Sequence, residues 1–338
     1  MAKVLFCVPL ALTIFSFFCL IPCFALASEN NSNGCLRYGF YDESCPDAER
    51  IIFNAVADKF SEAPESTAGA LRIFFHDCFV EGCDASVLIV SSSTTKAERD
   101  AEINLSLSAN GFDLFFRAKE AVESQCPKKV SCADVMTIAT RDCVYMLGGP
   151  RFEVQTGRRD GLTSEASTVL ANIPQPNQTL SQIISLFKSK GLSVLDMVVL
   201  SGAHTIGASH CKEFMNRIYS YNASFEIDPT MDQKYAKKLR ETCPERKLDP
   251  TVLAFNDVTT PLDFDNAYYS NLQKGLGLLG TDQILALDPR SRAYVDLMAK
   301  DNQVFVSHFI KSVVKLGTVG VKTGEEGEIR HYCGSFNT

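Results

Sequence analysis

Residues 71 to 86 read Leu71-Arg72-Ile73-Phe74-Phe75-His76-Asp77-Cys78-Phe79-Val80-Glu81-Gly82-Cys83-Asp84-Ala85-Ser86. Arg72 and His76 stand four positions apart, so on a helix they share one face. Their neighbours are apolar, and a cation and an imidazole on an apolar helix are costly unless they have partners or a chemical task. The alternative, a solvent-facing arginine and a satisfied core histidine, is disfavoured by the polar residues that follow at once. The stretch therefore predicts a functional helix.

A second stretch with a histidine lies well downstream and reads Asp196-Met197-Val198-Val199-Leu200-Ser201-Gly202-Ala203-His204-Thr205-Ile206-Gly207. Taken alone, a histidine that follows Ser-Gly-Ala is more readily a loop residue than a ligand. His204 becomes a candidate ligand only because residues 71 to 86 accompany it in the same chain.

The two stretches together resemble the distal and proximal haem motifs of secreted plant-type (class III) peroxidases. The resemblance extends over most of the chain, and its motifs stand in family order from Gly39-Phe40-Tyr41 and Cys45-Pro46 to Tyr332-Cys333. It implies an all-α haem peroxidase fold, in which haem b is sandwiched between an N-terminal distal and a C-terminal proximal helical half. It also implies an enzyme that reduces hydrogen peroxide to water while oxidising small phenolic or aromatic donors by one-electron steps.

The chemistry explains why the distal residue types are needed. Heterolysis moves a proton from the inner peroxide oxygen to the outer one, which a neutral imidazole can do as a base and then as an acid. Negative charge that develops on oxygen is stabilised by a fixed guanidinium in a dry pocket. The resemblance assigns these roles to His76 and Arg72, makes Phe75 a wall of the pocket, and makes Asn104 the acceptor that holds the His76 tautomer. The loop from Asn104 to Gly111 is one residue longer than in common members of the family.

The resemblance also assigns the proximal side. His204 would be the axial ligand of the haem iron, which leaves the opposite haem face open for peroxide. Asp282, in Gly280-Thr281-Asp282-Gln283, matches the carboxylate that accepts the remote N–H of that histidine and makes the ring more electron-rich. Pro174, in Ile173-Pro174-Gln175-Pro176, matches a residue at the edge where donors approach.

Hard oxygen ligands follow the distal histidine, and they suit calcium although their spacing is not that of an EF-hand. The resemblance implies two Ca²⁺ ions, each beside one of the two histidines. The distal ion would be held by Asp77, Val80, Gly82, Asp84 and Ser86, with Val80 and Gly82 acting through their carbonyls. The proximal ion would be held by Thr205, Asp257, Thr260 and Asp265, together with the carbonyl of Asp263.

Thirteen cysteines are present, and three of them precede residue 28. The resemblance pairs eight of the others: Cys45 with Cys126, Cys78 with Cys83, Cys132 with Cys333, and Cys211 with Cys243. Cys35 and Cys143 lie outside this pattern, and either a fifth bridge or a buried Cys143 thiol is compatible with it. Helical spacing places Cys143 on the core side of its helix, which an arm residue such as Cys35 is poorly placed to reach. We therefore predict no bridge between the two.

The N-terminus is typical of a secretory signal. Lys3 precedes an apolar run from Val4 to Ala27, and Ala25-Leu26-Ala27 fits a small-x-small cleavage site. The prediction is a signal peptide over 1–27, a single haem peroxidase domain over 28–338, and an extracellular protein of the cell wall or apoplast. An uncleaved membrane anchor is the alternative, because the run is long enough to span a bilayer. Sequons at Asn30, Asn177 and Asn222 are available for glycosylation in a secreted chain.

Composition sets the remaining limits. The chain has 338 residues, of which 46% are hydrophobic, so it can form a sizeable core, and its net charge of −7 argues against a nucleic-acid partner. Helical periodicity and capping signals dominate, while Phe152-Glu153-Val154 is the one short strand-like stretch. We expect a monomer with no membrane contact after signal removal.

The alternative function is a secreted, calcium- and disulfide-stabilised wall protein without catalytic activity. The set Arg72, His76, Asn104, His204 and Asp282 argues against it.

Overall fold

The computed structural model of the chain describes residues 35–247 and 249–338. The predicted signal peptide and the predicted start of the domain at residue 28 lie outside these residues. Among the described residues, no helix is both long and apolar enough to cross a membrane. The all-α prediction is confirmed, since helices dominate and the strands are two short segments.

The α-helices, in chain order, are α1 Ala48–Glu62, α2 Ser66–Val80, α3 Ala109–Gln125, α4 Cys132–Met146, α5 Ala166–Asn172, α6 Leu180–Ser189, α7 Val194–Ser201, α8 Met215–Ile218, α9 Gln233–Thr242, α10 Ala267–Gln273, α11 Gly280–Leu287, α12 Pro289–Lys300 and α13 Asn302–Leu316. Short 3₁₀ segments cover Ser86–Leu88, Glu98–Asp100, Glu102–Ser106, Gly202–Thr205, Cys211–Glu213 and Glu245–Lys247.

Local capping signals mark the starts of several helices. The Ser131 hydroxyl accepts a hydrogen bond from the Asp134 amide at the start of α4. Thr179 and Gln182 form a reciprocal capping box at the start of α6. Ser193 and Asp196 form another at the start of α7, the helix that leads to His204.

The N-terminal half is a packed group of four helices, in which α1 and α2 each contact α3 and α4. Two glycines allow α2 and α3 to approach closely. A Cβ at Gly69 would lie 2.5 Å from the Ser108 Cβ, and one at Gly111 would lie 2.8 Å from the Gly69 carbonyl carbon. This close crossing fixes the orientation of α2, the helix that carries Arg72 and His76.

The C-terminal half is built from α7 and α10 to α13, with α7 packed against α12 and α13. Immediately after α7, the 3₁₀ turn Gly202–Thr205 carries His204. A Cβ at Gly202 would lie 2.2 Å from the Tyr269 hydroxyl, so this turn accepts no side chain without rearrangement. The main hydrophobic core runs through both halves, and a smaller one lies beneath α8 and α9.

The two strands pair in antiparallel fashion, β1 over Ala208–His210 and β2 over Leu253–Phe255. They join the segment after His204 to the segment before Asp257. The strand-like stretch Phe152-Glu153-Val154 forms no strand, and pairing in this part of the chain is limited to an isolated bridge between Arg37 and Thr156.

Disulfides and a buried ion pair stabilise the fold, and the Cys132–Cys333 bond joins α4 to the C-terminal end of the chain. The structure contains the four disulfides that the resemblance implies, between Cys45 and Cys126, Cys78 and Cys83, Cys132 and Cys333, and Cys211 and Cys243. Cys143 carries a free, buried thiol, so it forms no bridge with Cys35, as predicted. The buried Arg158 guanidinium lies 2.9 Å from Asp134 and also donates to the Gly317 carbonyl, which ties α4 to the end of α13.

Candidate active site

The distal face of α2 presents Arg72, Phe75 and His76. His76 is buried, whereas the Arg72 side chain is exposed. The Arg72 guanidinium donates hydrogen bonds to the Ser106 carbonyl at 3.1 Å and to the Ser106 hydroxyl at 2.9 Å. The Phe75 ring lies 6.2 Å from the His76 ring and stacks on Phe79 at 4.1 Å, so it is part of a rigid aromatic wall.

The His76 tautomer follows from its partner. His76 Nδ1 lies 2.7 Å from Asn104 Oδ1, and the Asn104 amide nitrogen donates to the Glu98 carbonyl at 2.8 Å. Since the nitrogen of the amide is committed to Glu98, its oxygen faces the ring and must accept from Nδ1–H. The other ring nitrogen, Nε2, is therefore unprotonated. Burial, followed by the charge of Arg72, lowers the pKa of His76 to about 3, which keeps the ring neutral at ordinary pH.

Asn104 lies in the 3₁₀ turn Glu102–Ser106 and is itself buried, so it is closed to a glycan. The longer loop before Gly111 leaves Asn104 in contact with His76. Sequence reasoning missed two neighbours in this region: Ser106, which holds Arg72, and Glu98, whose carbonyl orients Asn104. No local pattern marks either residue, since serine and glutamate are ordinary in loops.

The proximal histidine has a charged partner instead. His204 Nδ1 lies 3.0 Å from Asp282 Oδ1 and 3.1 Å from Oδ2, with Asp282 in the first turn of α11. Removal of water around the ring lowers the pKa of His204, but the charge and hydrogen bond of Asp282 outweigh this and raise it. Because Nδ1 is taken by Asp282, Nε2 is the atom of His204 that is able to ligate iron.

The Asp282 carboxylate has a second partner, which sequence reasoning also missed. The Tyr268 hydroxyl donates to Asp282 Oδ1 at 2.9 Å. Burial, followed by the charge of Asp282, raises the pKa of Tyr268 well above its ordinary value, so the phenol remains a neutral donor.

Arg72 links the two halves electrostatically, since its positive charge lowers the pKa of both His76 and His204. The His204 side chain is 39% exposed although the residues before it in α7 are buried. Part of the His204 ring on one half and the Arg72 guanidinium on the other are thus accessible from outside the protein.

A group of buried oxygen atoms lies on the distal side. Asp77, Asp84 and Glu98 are all buried, and the Ser86 hydroxyl and both Glu98 carboxylate oxygens have no hydrogen-bond partner. Burial, followed by the charge of Asp84, raises the pKa of Asp77 to about 8. Burial, followed by the charge of Asp77, raises the pKa of Glu98 to about 9. Several buried carboxyl and hydroxyl oxygens thus lie close together, and the Lys322 ammonium forms an ion pair with Asp84.

Two backbone positions expected to bind the distal ion lie at the end of α2 and in the loop after it. Val80 ends α2, and Gly82 has a φ of 105°, a conformation that favours glycine. A Cβ at Gly82 would lie 2.4 Å from the Gly320 carbonyl oxygen, so the loop also needs glycine for its close approach. Lys190 approaches the Val80 carbonyl at 3.4 Å.

A second oxygen group surrounds Thr205, the residue after His204. Its hydroxyl lies 3.4 Å from Asp257 Oδ2, 3.3 Å from the Asp263 carbonyl and 3.3 Å from Asp265 Oδ1. Thr260 Oγ1 lies 3.1 Å from Asp265 Oδ1. Within the described residues, neither group contains three or more His, Cys, Asp or Glu side chains arranged as a metal cluster. The proximal group combines the carboxylates of Asp257 and Asp265 with two threonine hydroxyls and a backbone carbonyl.

Pro174 lies between α5 and α6 and is partly buried. Its place at a donor-access edge stays a prediction.

Comparison with known proteins agrees with this geometry. The family model described as "Peroxidase" matches residues 52–301. The chain is 50% identical to Peroxidase 51 of Arabidopsis thaliana over 310 residues, which cover 91% of this chain and 94% of that protein. It is 49% identical to Peroxidase 50 over 308 residues, covering 90% of this chain and 93% of that one, and 49% identical to Peroxidase 65 over 302 residues, covering 89% of each. The chain therefore belongs to the plant-type (class III) haem peroxidase family and is a hydrogen-peroxide-dependent oxidoreductase.

Proposed function

We propose that this peroxidase holds haem b between His76 and His204, and that it oxidises small phenolic or aromatic donors in two one-electron steps per peroxide. One observation carries the proposal: two histidines on opposite halves have partners of opposite kind. His76 contacts the neutral Asn104 amide, and His204 contacts the Asp282 carboxylate. A neutral base and an electron-rich ligand are the two histidines that peroxide heterolysis needs.

The residues present fit a haem group. Its ligand would be His204 Nε2, which the Asp282 contact leaves available. The exposed portions of His204 and Arg72 would be covered by the flat apolar ring system. When bound, haem supplies the redox-active iron at which peroxide is reduced.

The chain's own residues would move the proton and stabilise the charge. His76 Nε2 would accept a proton from one peroxide oxygen and return it to the other as the bond breaks. The Asn104 amide would hold the ring so that this nitrogen faces the peroxide. The Arg72 guanidinium would stabilise the departing oxygen, with its donors already oriented by Ser106. Phe75 would keep bulky donors at the edge that includes Pro174.

We extend the proposal to two Ca²⁺ ions. The distal ion would bind Asp77, Asp84, Ser86 and the carbonyls of Val80 and Gly82, and the unpartnered Ser86 and Glu98 oxygens support a cation there. The proximal ion would bind Thr205, Asp257, Thr260, Asp265 and the Asp263 carbonyl. Support comes from the convergence of three of these oxygens on the Thr205 hydroxyl, which has one proton to donate.

The remaining parts of the proposal concern the mature protein. Residues 28–338 would form a single, monomeric domain, released to the cell wall or apoplast after removal of 1–27. Support comes from the signal-like N-terminus and from four disulfides, which are typical of oxidising compartments.

An absorption spectrum of the purified mature protein tests the central proposal. A haem Soret band that is retained in His76→Ala and lost in His204→Ala is the expected result. Peroxide-dependent oxidation should then be measured with lignin-precursor alcohols, flavonoids and ascorbate under one set of conditions. Phenolic substrates should be the fastest. Protein without a Soret band would favour the non-catalytic wall protein, and faster oxidation of ascorbate would overturn the donor class.

A further inference from the structure

We propose that Tyr268 is a positioning residue of the proximal site, which limits how much negative charge Asp282 transfers to His204. The inference rests on the proposed role of His204 as the iron ligand. It adds a third member to the pair of His204 and Asp282.

Geometry places Tyr268 and His204 on the same carboxylate oxygen. The Tyr268 hydroxyl donates to Asp282 Oδ1 at 2.9 Å, and His204 Nδ1 lies 3.0 Å from that atom. Tyr268 and Asp282 are both buried, with 1% and 3% of their surface exposed, so water does not replace either contact. The Tyr268 ring also meets the His204 ring edge-on, with 6.2 Å between centroids.

Two donors on one carboxylate oxygen oppose each other. Each donor withdraws electron density from Asp282 and makes it a weaker acceptor for the other. In a buried site this effect is large, because little solvent screens it. With the Tyr268 hydroxyl in place, the His204 proton stays closer to Nδ1, and the ring is less electron-rich than with Asp282 alone.

The backbone around Tyr268 is held firmly. Tyr268 lies in the first turn of α10, whose Ala267 amide donates to Asp265 Oδ1 at 2.8 Å. The side-chain amide nitrogen of Asn266 donates to the Met298 carbonyl at 2.8 Å and anchors the same turn. The hydroxyl is thus aimed at Asp282 by a turn that also abuts the proximal oxygen group.

The test is Tyr268→Phe in the haem-loaded enzyme, which removes one oxygen atom and retains the ring. Without the phenol, His204 should become more electron-rich and favour ferric over ferrous iron. We expect the equilibrium constant, written as the ratio of ferric to ferrous enzyme at a fixed electrode potential, to rise by about fivefold, the effect of one ordinary hydrogen bond. Spectroelectrochemical titration measures this constant. Resonance Raman spectra of the ferrous form should show the iron–histidine stretch at higher frequency.

Tyr269→Phe is the matched control. Tyr269 is equally buried, but its hydroxyl donates to the Val198 and Val199 carbonyls at 3.1 and 3.2 Å. It should leave the equilibrium constant and the stretch unchanged. Equal shifts in both variants, or none in Tyr268→Phe, would overturn the proposal.

A double-mutant cycle tests whether Tyr268 acts through Asp282. In an Asp282→Asn background, Tyr268→Phe should shift the equilibrium constant much less than in the wild type, because the shared acceptor is changed. Full additivity would refute the inference. His204→Ala distinguishes a failure of the Tyr268 inference from a failure of the proposed ligand role of His204. An iron–histidine stretch that persists in His204→Ala would show that His204 is not the ligand.

Discussion

The distal and proximal histidines differ in one respect that decides their chemistry. Each contacts its partner through Nδ1, but His76 meets the Asn104 amide and His204 meets the Asp282 carboxylate. The pKa of His76 is lowered to about 3 by burial and Arg72, whereas the pKa of His204 is raised because Asp282 outweighs desolvation. The partner of each histidine, more than its burial, therefore determines whether the ring is suited to be a base or a ligand.

The two oxygen groups differ in a similar way. On the distal side, Lys322 forms an ion pair with Asp84 and supplies an internal positive charge. On the proximal side, hydrogen bonds from Thr205 and Thr260 hydroxyls reach the Asp257 and Asp265 carboxylates. We expect the distal group to tolerate loss of its proposed calcium ion better than the proximal one.

The largest expected effect comes from removing His76, the proposed distal base. His76→Ala should leave haem bound and slow the reaction with peroxide by roughly 10²-fold or more, because acid–base catalysis is lost. Stopped-flow absorbance at the Soret band measures this rate constant. An unchanged rate would remove His76 from the mechanism and end the comparison.

A somewhat smaller effect should follow from giving the distal histidine a carboxylate partner. Asn104→Asp should raise the pKa of His76, protonate it at neutral pH, and slow the peroxide reaction by about tenfold at pH 7. The rate should recover as pH rises through the new pKa. Asn104→Ala is the control, since it removes the contact without adding charge. A pH-independent loss in Asn104→Asp would contradict the prediction.

Calcium removal should affect the distal and proximal oxygen groups differently. Chelation should weaken activity and shift the haem spectrum before global unfolding, because Asp77 and Thr205 directly follow the two histidines. Lys322→Met should make the chelated protein less stable, with a fall in Tm of about 2–4 °C for ~1 kcal/mol. Lys315→Met, which removes an ion pair with Asp196, is the control. Active protein without calcium, or equal effects of both variants, would refute this prediction.

The smallest effect is expected for the wild type in mild acid. With a folded pKa of about 3 against an ordinary value of 6.5, His76 remains a neutral base, so the peroxide rate constant should stay level from pH 7 to about pH 4. The lowered pKa makes the stability of the fold depend on pH with a defined sign. Stability is not reduced by His76 above pH 6.5, and it declines as pH falls towards 3, because the unfolded chain binds the proton first. An acid limb of the peroxide rate centred near pH 6.5 would contradict the assignment.

Much of the local structure can be predicted from the amino-acid sequence. Helix caps at Ser131, Thr179 and Ser193 are local signals, since each depends on residues three positions apart. The spacing of Arg72 and His76 likewise needs only helical geometry. Family resemblance supplied what spacing alone does not determine, such as the pairing of eight cysteines.

The sequence by itself determined which residue types are available and where helices begin, because capping and periodicity act over a few residues. Only the tertiary structure brought Arg72 to Ser106, Tyr268 to Asp282, and Lys322 to Asp84, which is 238 residues away. These contacts follow from how α2 crosses α3, how α10 meets α11, and how the chain's end returns to the distal loop. No local pattern encodes such crossings, because they are fixed by the packing of distant apolar faces and not by neighbours along the chain.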